Sequence, residues 1–305
     1  MALIIIFAIA QVFGMFVIGW IARRLDYLRE DELNRWSRFV IDFLIPALMF
    51  HSIVDGFESE RLGELWTLPI VGFGCIGLGA VTGIVFRLGI GKNHTPEVLS
   101  TFHHFCAINN YGFLPIIIIQ NLWGAKALAN LFLFNLGSTV GYWTIGVALL
   151  EIGSMGNAVK NILSPSMFAI VGALIISAAG WSTHIPGVIM NIFGSIGAAA
   201  VPLILILVGA GLYPFPVIKH KALVSYLTVI RLLALPAVTV GILVLLPLPQ
   251  DVKNIGFVVA VMPTSVSSII MTRRYGGDPD FAAEATVVTT VTAIITVPIW
   301  LAFLI

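Results

Sequence analysis

Residues 101–124 read TFHHFCAINNYGFLPIIIIQNLWG, and residues 253–276 read KNIGFVVAVMPTSVSSIIMTRRYG. Both stretches are long and apolar, and each has a proline near its middle, Pro115 and Pro263, beside amide or hydroxyl side chains. A proline in hydrocarbon frees backbone groups that lipid cannot satisfy. Broken helices therefore survive only where they are buried in protein or line a cavity. Interrupted segments at matching positions of two halves point to the binding site of a secondary transporter.

The composition sets the class. Of the 305 residues 59% are hydrophobic and only 10% charged, and the mean hydropathy is +1.03. Soluble domains carry about 25% charged residues, so a chain this apolar is expected to be a polytopic membrane protein. A net charge of +1 excludes a strongly electrostatic partner such as nucleic acid. Cys75 and Cys106 both fall inside apolar spans without metal-ligand spacing, which argues against a disulfide framework or a zinc site. The N-terminal run MALIIIFAIAQVFGMFVIGWIARR has its positive charges after the apolar stretch. That order describes a first transmembrane helix, not a cleaved signal peptide.

At about 20 apolar residues per crossing, ten spans are expected near 2–21, 36–54, 65–87, 98–120, 126–150, 164–181, 187–212, 222–246, 253–273 and 281–304. The connections that follow the odd-numbered spans, or lie at their edges, hold 12 of the 16 Lys and Arg residues: Arg23, Arg24, Arg29, Arg35, Arg38, Arg87, Lys92, Lys160, Lys219, Lys221, Arg273 and Arg274. The opposite side holds Arg61, Lys126 and Lys253. The positive-inside rule then puts both termini outside the cytoplasm, in a multi-pass protein of the inner (plasma) membrane. Five spans per half make the halves inverted repeats. They cover residues 1–151 and 164–305, with a short cytoplasmic connection at 152–163. The second and seventh spans each carry one mid-span proline, Pro46 in FLIPALMF and Pro202 in AAVPLILILVG.

Three segments carry a specific resemblance: GWIARRLDYLREDELNRWSRFVIDFLIPALMF (19–50), IGAAAVPLILILVGAGL (196–212) and MPTSVSSIIMTRRYGGDPDFAAEATVVTT (262–290). In both halves and in family order, the chain resembles the auxin efflux carrier family, which includes plant PIN-type and PIN-like carriers and bacterial malate or malonate carriers. The resemblance implies the fold shared with bile-acid/sodium symporters, with spans 4 and 9 crossing near the membrane centre. It also implies a scaffold of spans 1, 2, 6 and 7, a mobile transport domain of spans 3–5 and 8–10, and a homodimer formed through the scaffold. One departure stands out. The family often has Asn-Thr-Gly with the proline seven residues after the Asn, whereas here Asn110 is followed by Tyr-Gly-Phe-Leu-Pro.

Crossed half-helices offer N-terminal ends suited to a carboxylate and unwound carbonyls and C-terminal ends suited to a cation. Asn109 and Asn110 precede the first break, and an amide can serve either ligand. The alternative is that they cap the broken helix or bond a neighbouring one. Thr264, Ser265, Ser267 and Ser268 follow Pro263 and form a hydroxyl cluster that can replace water around a ligand; close packing is the competing reading. Pro115 and Pro263 shape the site. Asp42 and Arg231 are ionisable residues inside spans, which usually marks function. Asp42 is a proton-carrier candidate, against an i,i+4 pair with Arg38. Arg231 is a tethered counter-charge or anion attractor, against snorkelling to the surface. His103 and His104 point about 100° apart on one helix, so they cannot chelate one metal from one face; His104 is a candidate for tuning pH dependence. His51, Asp55, Glu58, Glu60 and Glu64 are expected at a solvated rim beyond the helix ends. Glycines 72, 74, 77, 79 and 83 are expected to form a packing stripe.

Together these readings predict an all-α transporter, not an enzyme, that moves a small mono- or dicarboxylate by elevator-type alternating access. No cofactor or resident metal is expected. Coupling is left open between Na⁺, with a place near Asn110 and Ser267, and H⁺. The alternatives are a sodium-coupled symporter of bulkier amphipathic anions and a membrane receptor or scaffold without transport. An intramembrane hydrolase using the histidines and serines lacks an accompanying carboxylate motif.

Overall fold

The computed structural model describes residues 2–56, 62–91, 94–150 and 163–305. The expected connection at 152–163 with Lys160, and also Lys92, Arg61, Glu58 and Glu60, fall outside the described residues apart from Leu163. The described chain is helical, without a named strand. In order it forms α1 (Ala2–Arg24), α2 (Glu30–Gly56), α3 (Thr67–Leu88), α4 (Pro96–Ala107), α5 (Phe113–Trp123), α6 (Ala127–Gly141), α7 (Pro165–Ala178), α8 (Gly187–Gly211), α9 (Lys221–Leu245), α10 (Gln250–Ala260), α11 (Ser267–Tyr275) and α12 (Pro279–Leu304). Among the described residues five helices, α2, α3, α8, α9 and α12, are long and apolar enough to cross a bilayer.

The spans expected at 98–120 and 253–273 each form two helices, α4 with α5 and α10 with α11. At 1.5 Å per residue the 12 residues of α4 reach only about 18 Å, too short to cross about 30 Å of hydrocarbon alone. The first break, Ile108–Gly112, precedes Pro115, which sits in the opening turn of α5 where its missing N–H costs no helical bond. The second break holds Pro263 itself.

Sequence devices place the helix ends. α4, α7 and α12 each start with a polar cap followed by proline, Thr95-Pro96, Ser164-Pro165 and Asp278-Pro279. The three cap side chains accept from Val98, Met167 and Phe281 backbone N–H groups. The RYGGDP string is such a turn. Gly276 ends α11 at φ 98°, a left-handed position natural to glycine. A Cβ on Gly277 would lie 2.5 Å from Thr101 Oγ1, and that hydroxyl accepts from Asp278 N at 2.8 Å.

Two of the prolines inside long helices, Pro46 and Pro236, follow widened turns, whereas Pro202 and Pro298 sit in unwidened α-helix. π-helical turns occupy Val40–Leu44, just before Pro46, and Ile230–Ala234, just before Pro236. Pro236 cannot donate to the carbonyl four residues back; Trp300 Nε1 bonds that carbonyl, Leu232 O, at 2.8 Å instead. The two widened turns carry Asp42 and Arg231.

The most extensive packing joins α1 to α8, α2 to α7 and α8, and α3 to α6 and α4; α9 packs on α10 and α12, and α11 on α12. The glycine stripe works selectively. A Cβ on Gly72 would overlap Phe134 O, one on Gly79 would overlap Cys106 O, and one on Gly83 would meet the His103 ring at 2.6 Å. Gly74 and Gly77 face open space, so only the face spaced by seven and four residues approaches α4 and α6. His51 differs from expectation. It lies inside α2, where its ring packs against Gly194 of α8, while Asp55 is exposed near the end of that helix.

Candidate functional site

The two breaks meet. Asn109 and Thr264 form an antiparallel bridge, and Asn110 N donates to Pro263 O at 2.8 Å. Asn109 Nδ2 donates to Val259 O. Thr264 is fastened to α12: its hydroxyl lies 2.8 Å from Thr289 Oγ1, and its N–H donates to the same oxygen at 3.4 Å. Backbone groups that proline and unwinding would leave bare are thus paired inside the protein, as a low-dielectric interior requires.

Four helix termini converge on this junction, and they separate by polarity. The C-terminal ends of α4 and α10 face Arg231, which is 4% exposed. Its Nη1 donates to Cys106 O at 3.2 Å and its Nη2 to Ala260 O at 3.0 Å, both carbonyls of final helical turns. The guanidinium faces inward, so it does not snorkel.

The N-terminal ends of α5 and α11 face a cavity of ≈ 350 Å³. Its polar wall includes Asn110, Ser265 and Ser267 from the breaks, Asp42 from α2, and Arg274 from α11. Asn110 Oδ1 accepts from Phe113 N at 3.1 Å, so this residue caps α5 as well as lining the cavity. Ser265 and Ser267 hydroxyls lie 2.9 Å apart. Asp42 is half-buried, and among the described residues no ion pair joins it to Arg38.

The expected site residues therefore divide. Asn110, Ser265, Ser267 and Asp42 come together at the cavity. Asn109, Thr264 and Ser268 are turned into the protein, and Pro115 and Pro263 shape the junction. His104 is fully buried between Gly146 O (Nδ1, 2.8 Å) and Ser268 Oγ (Nε2, 2.9 Å). A carbonyl only accepts, so in the neutral ring Nδ1 carries the proton and Nε2 accepts from the serine. His103 Nε2 instead bonds Ala80 O at 2.7 Å.

Sequence reasoning missed a wall of the cavity. Asn135, Thr139 and Tyr142 line it from α6 and its continuation. Their four- and three-residue spacing places them on one helical face, and that polar stripe in an apolar span was the available signal. Asn135 is 4% exposed, and its Oδ1 has no hydrogen-bond partner among the described residues. Arg274, read from sequence as a topology anchor, also lines the cavity and lies 5.5 Å from the Tyr275 ring centre.

Apolar helices in this number, two of them interrupted around a polar cavity, define a multi-pass membrane transporter. The chain belongs to the membrane transport protein family, the auxin efflux/PIN-like group, which matches residues 4–161 and 154–301. It is 24% identical over 301 residues to an uncharacterised transporter of Methanothermobacter thermautotrophicus, covering 96% of each chain. It is also 21% identical over 292 residues to one of Methanocaldococcus jannaschii, covering 93% of this chain and 94% of the relative.

Proposed function

We propose that the protein is a secondary active transporter of a small organic anion, a mono- or dicarboxylate, working by elevator-type alternating access. The observation that carries this reading is the cavity onto which two helix N-termini open beside Asn110, Ser265, Ser267 and Arg274. Partial positive charge at helix N-termini, together with N–H and O–H donors, favours a carboxylate. The Asn135 oxygen, without a hydrogen-bond partner among the described residues, adds an acceptor for a substrate hydroxyl or protonated carboxyl. Small-molecule pockets run from about 300 to 1,000 Å³, so a cavity of ≈ 350 Å³ favours a small anion over a bulky amphipathic one.

In this reading α4–α5 and α10–α11 cross near the midplane of a ten-span inverted repeat, with halves at 1–151 and 164–305. The mutual packing of α1, α2, α7 and α8 supports their grouping as the scaffold; the remaining helices carry Asn110, Ser265, Ser267 and Arg274, and α2 and α7 close the other side of the cavity. The basic residues orient both termini outside the inner (plasma) membrane. Ser164, Ser166 and Arg274 at the cavity then belong to its cytoplasmic end. An ion gradient or the membrane potential supplies the energy, about 2.3 kcal/mol per charge per 100 mV. Asp42 is the group placed to exchange a proton with the cavity. The protein works as a homodimer joined through the scaffold.

The test is thermal unfolding of the detergent-solubilised protein against a panel of carboxylates, each in Na⁺ and in choline, followed by flux in proteoliposomes. Selective binding raises the melting temperature by mass action, so a shift with one small carboxylate and flux of the same compound are expected. Binding without flux would move the protein to a receptor, and the absence of any shift across the panel would remove the carboxylate assignment.

A further inference from the structure

Arg231 is a buried cation with no carboxylate within 4 Å among the described residues. A charge of this kind normally needs a partner to persist inside a membrane protein. The partners present are two helix ends. The C-termini of α4 and α10 each carry about half a negative charge, so together they balance one guanidinium. Both contacts are to orphan carbonyls of final turns, Cys106 O and Ala260 O. Unwound carbonyls and half-helix C-terminal ends are also the chemistry that binds Na⁺ in transporters with broken helices. Arg231 thus sits where these helix ends would otherwise attract a dissociable cation. It stays charged at every physiological pH, and the Ile230–Ala234 turn before Pro236 holds its backbone inside the protein.

We propose that Arg231 is a tethered replacement for a coupling cation, so that anion binding on the opposite side of the junction requires no Na⁺. The inference rests on the anion-transport reading and adds to it the identity of the cation that holds the helix ends together. Arg231 is a positioning residue: it fixes the C-terminal ends, and thereby the N-terminal ends that face the cavity, without touching the substrate.

The experiment compares wild type, Arg231→Lys and Arg231→Ala by thermal unfolding in detergent, in Na⁺, choline, guanidinium and urea, with and without the stabilising carboxylate. The wild-type carboxylate shift is expected to be equal in Na⁺ and choline, and Arg231→Lys to behave alike. Arg231→Ala should melt lower and be restored by millimolar guanidinium or Na⁺, but not by choline or by urea, which has the shape of guanidinium without its charge. A wild-type shift that needs Na⁺ overturns the proposal. So does a folded Arg231→Ala protein that no small cation restores, or that urea restores equally. If Arg231→Ala cannot be recovered folded, Arg231→Lys decides: Na⁺ dependence of its shift overturns the proposal and Na⁺ independence supports it. If no carboxylate shifts the wild type, the transport reading fails, and cation rescue alone decides the role of Arg231.

Discussion

The two sides of the junction are built from the same backbone events yet do opposite work. On one side the C-termini of α4 and α10 are closed against a guanidinium, with no carboxylate nearby among the described residues. On the other the N-termini of α5 and α11 open on a cavity with hydroxyls, amides and Arg274 on its wall. A helix break always creates both kinds of end. The difference teaches that satisfying one kind with a protein group leaves the other free for a ligand.

This contrast can be broken from either side. The largest effect is expected from Arg231→Leu, which leaves two buried carbonyls unpaired at about 1–3 kcal/mol each. Unfolding in detergent should shift by several degrees, and stability equal to wild type would show that the closed side holds nothing together. Asn110→Ala removes a cap worth about 0.5–2 kcal/mol and a cavity group together. A modest loss of stability should accompany complete loss of the carboxylate-induced shift; wild-type affinity in the folded variant would remove Asn110 from the site. Ser268→Ala and Ser267→Ala sharpen the comparison because they are neighbours with different partners. Removing the serine bonded to His104 should cost about 1 kcal/mol of stability with little change in affinity. Removing the one at the cavity should weaken binding roughly tenfold, about 1.4 kcal/mol, with stability unchanged.

Asp42→Asn tests the proton. Flux should lose its pH dependence while binding persists, and an unaltered pH profile would place proton exchange elsewhere. The smallest effect belongs to Arg274→Gln. This exposed cation attracts anions through solvent, so the variant should bind only a few-fold more weakly at low salt. The deficit should vanish near 1 M salt, where screening acts over about 3 Å; a deficit that persists there would mean direct contact with substrate.

Much of this was legible along the chain. Pro115 and Pro263 marked two breaks because amide or hydroxyl side chains stand beside them. A missing N–H alone was not the signal, since Pro46, Pro202, Pro236 and Pro298 lie inside continuous helices. The hydroxyls after Pro263 marked a polar site, but not which of them face it. Ser265 and Ser267 reach the cavity while Thr264 and Ser268 turn to Thr289 and His104. That sorting depends on backbone direction through an unwound segment, where no periodicity applies. The same limit explains Arg274, whose place in the cavity wall follows from α11 bordering the same cavity as α2 and α6.

Composition, hydropathy and turn chemistry by themselves determined a membrane-embedded helical chain with interrupted spans, since each rests on residue type and on contacts a few positions apart. Only the tertiary structure decided which ends of those spans meet. Asn109 and Thr264 are paired across more than 150 positions of chain, and Arg231 closes Cys106 and Ala260 from a third helix. Such contacts depend on how helices pack in three dimensions, and an apolar helix leaves little pattern in sequence to say which neighbour it will choose.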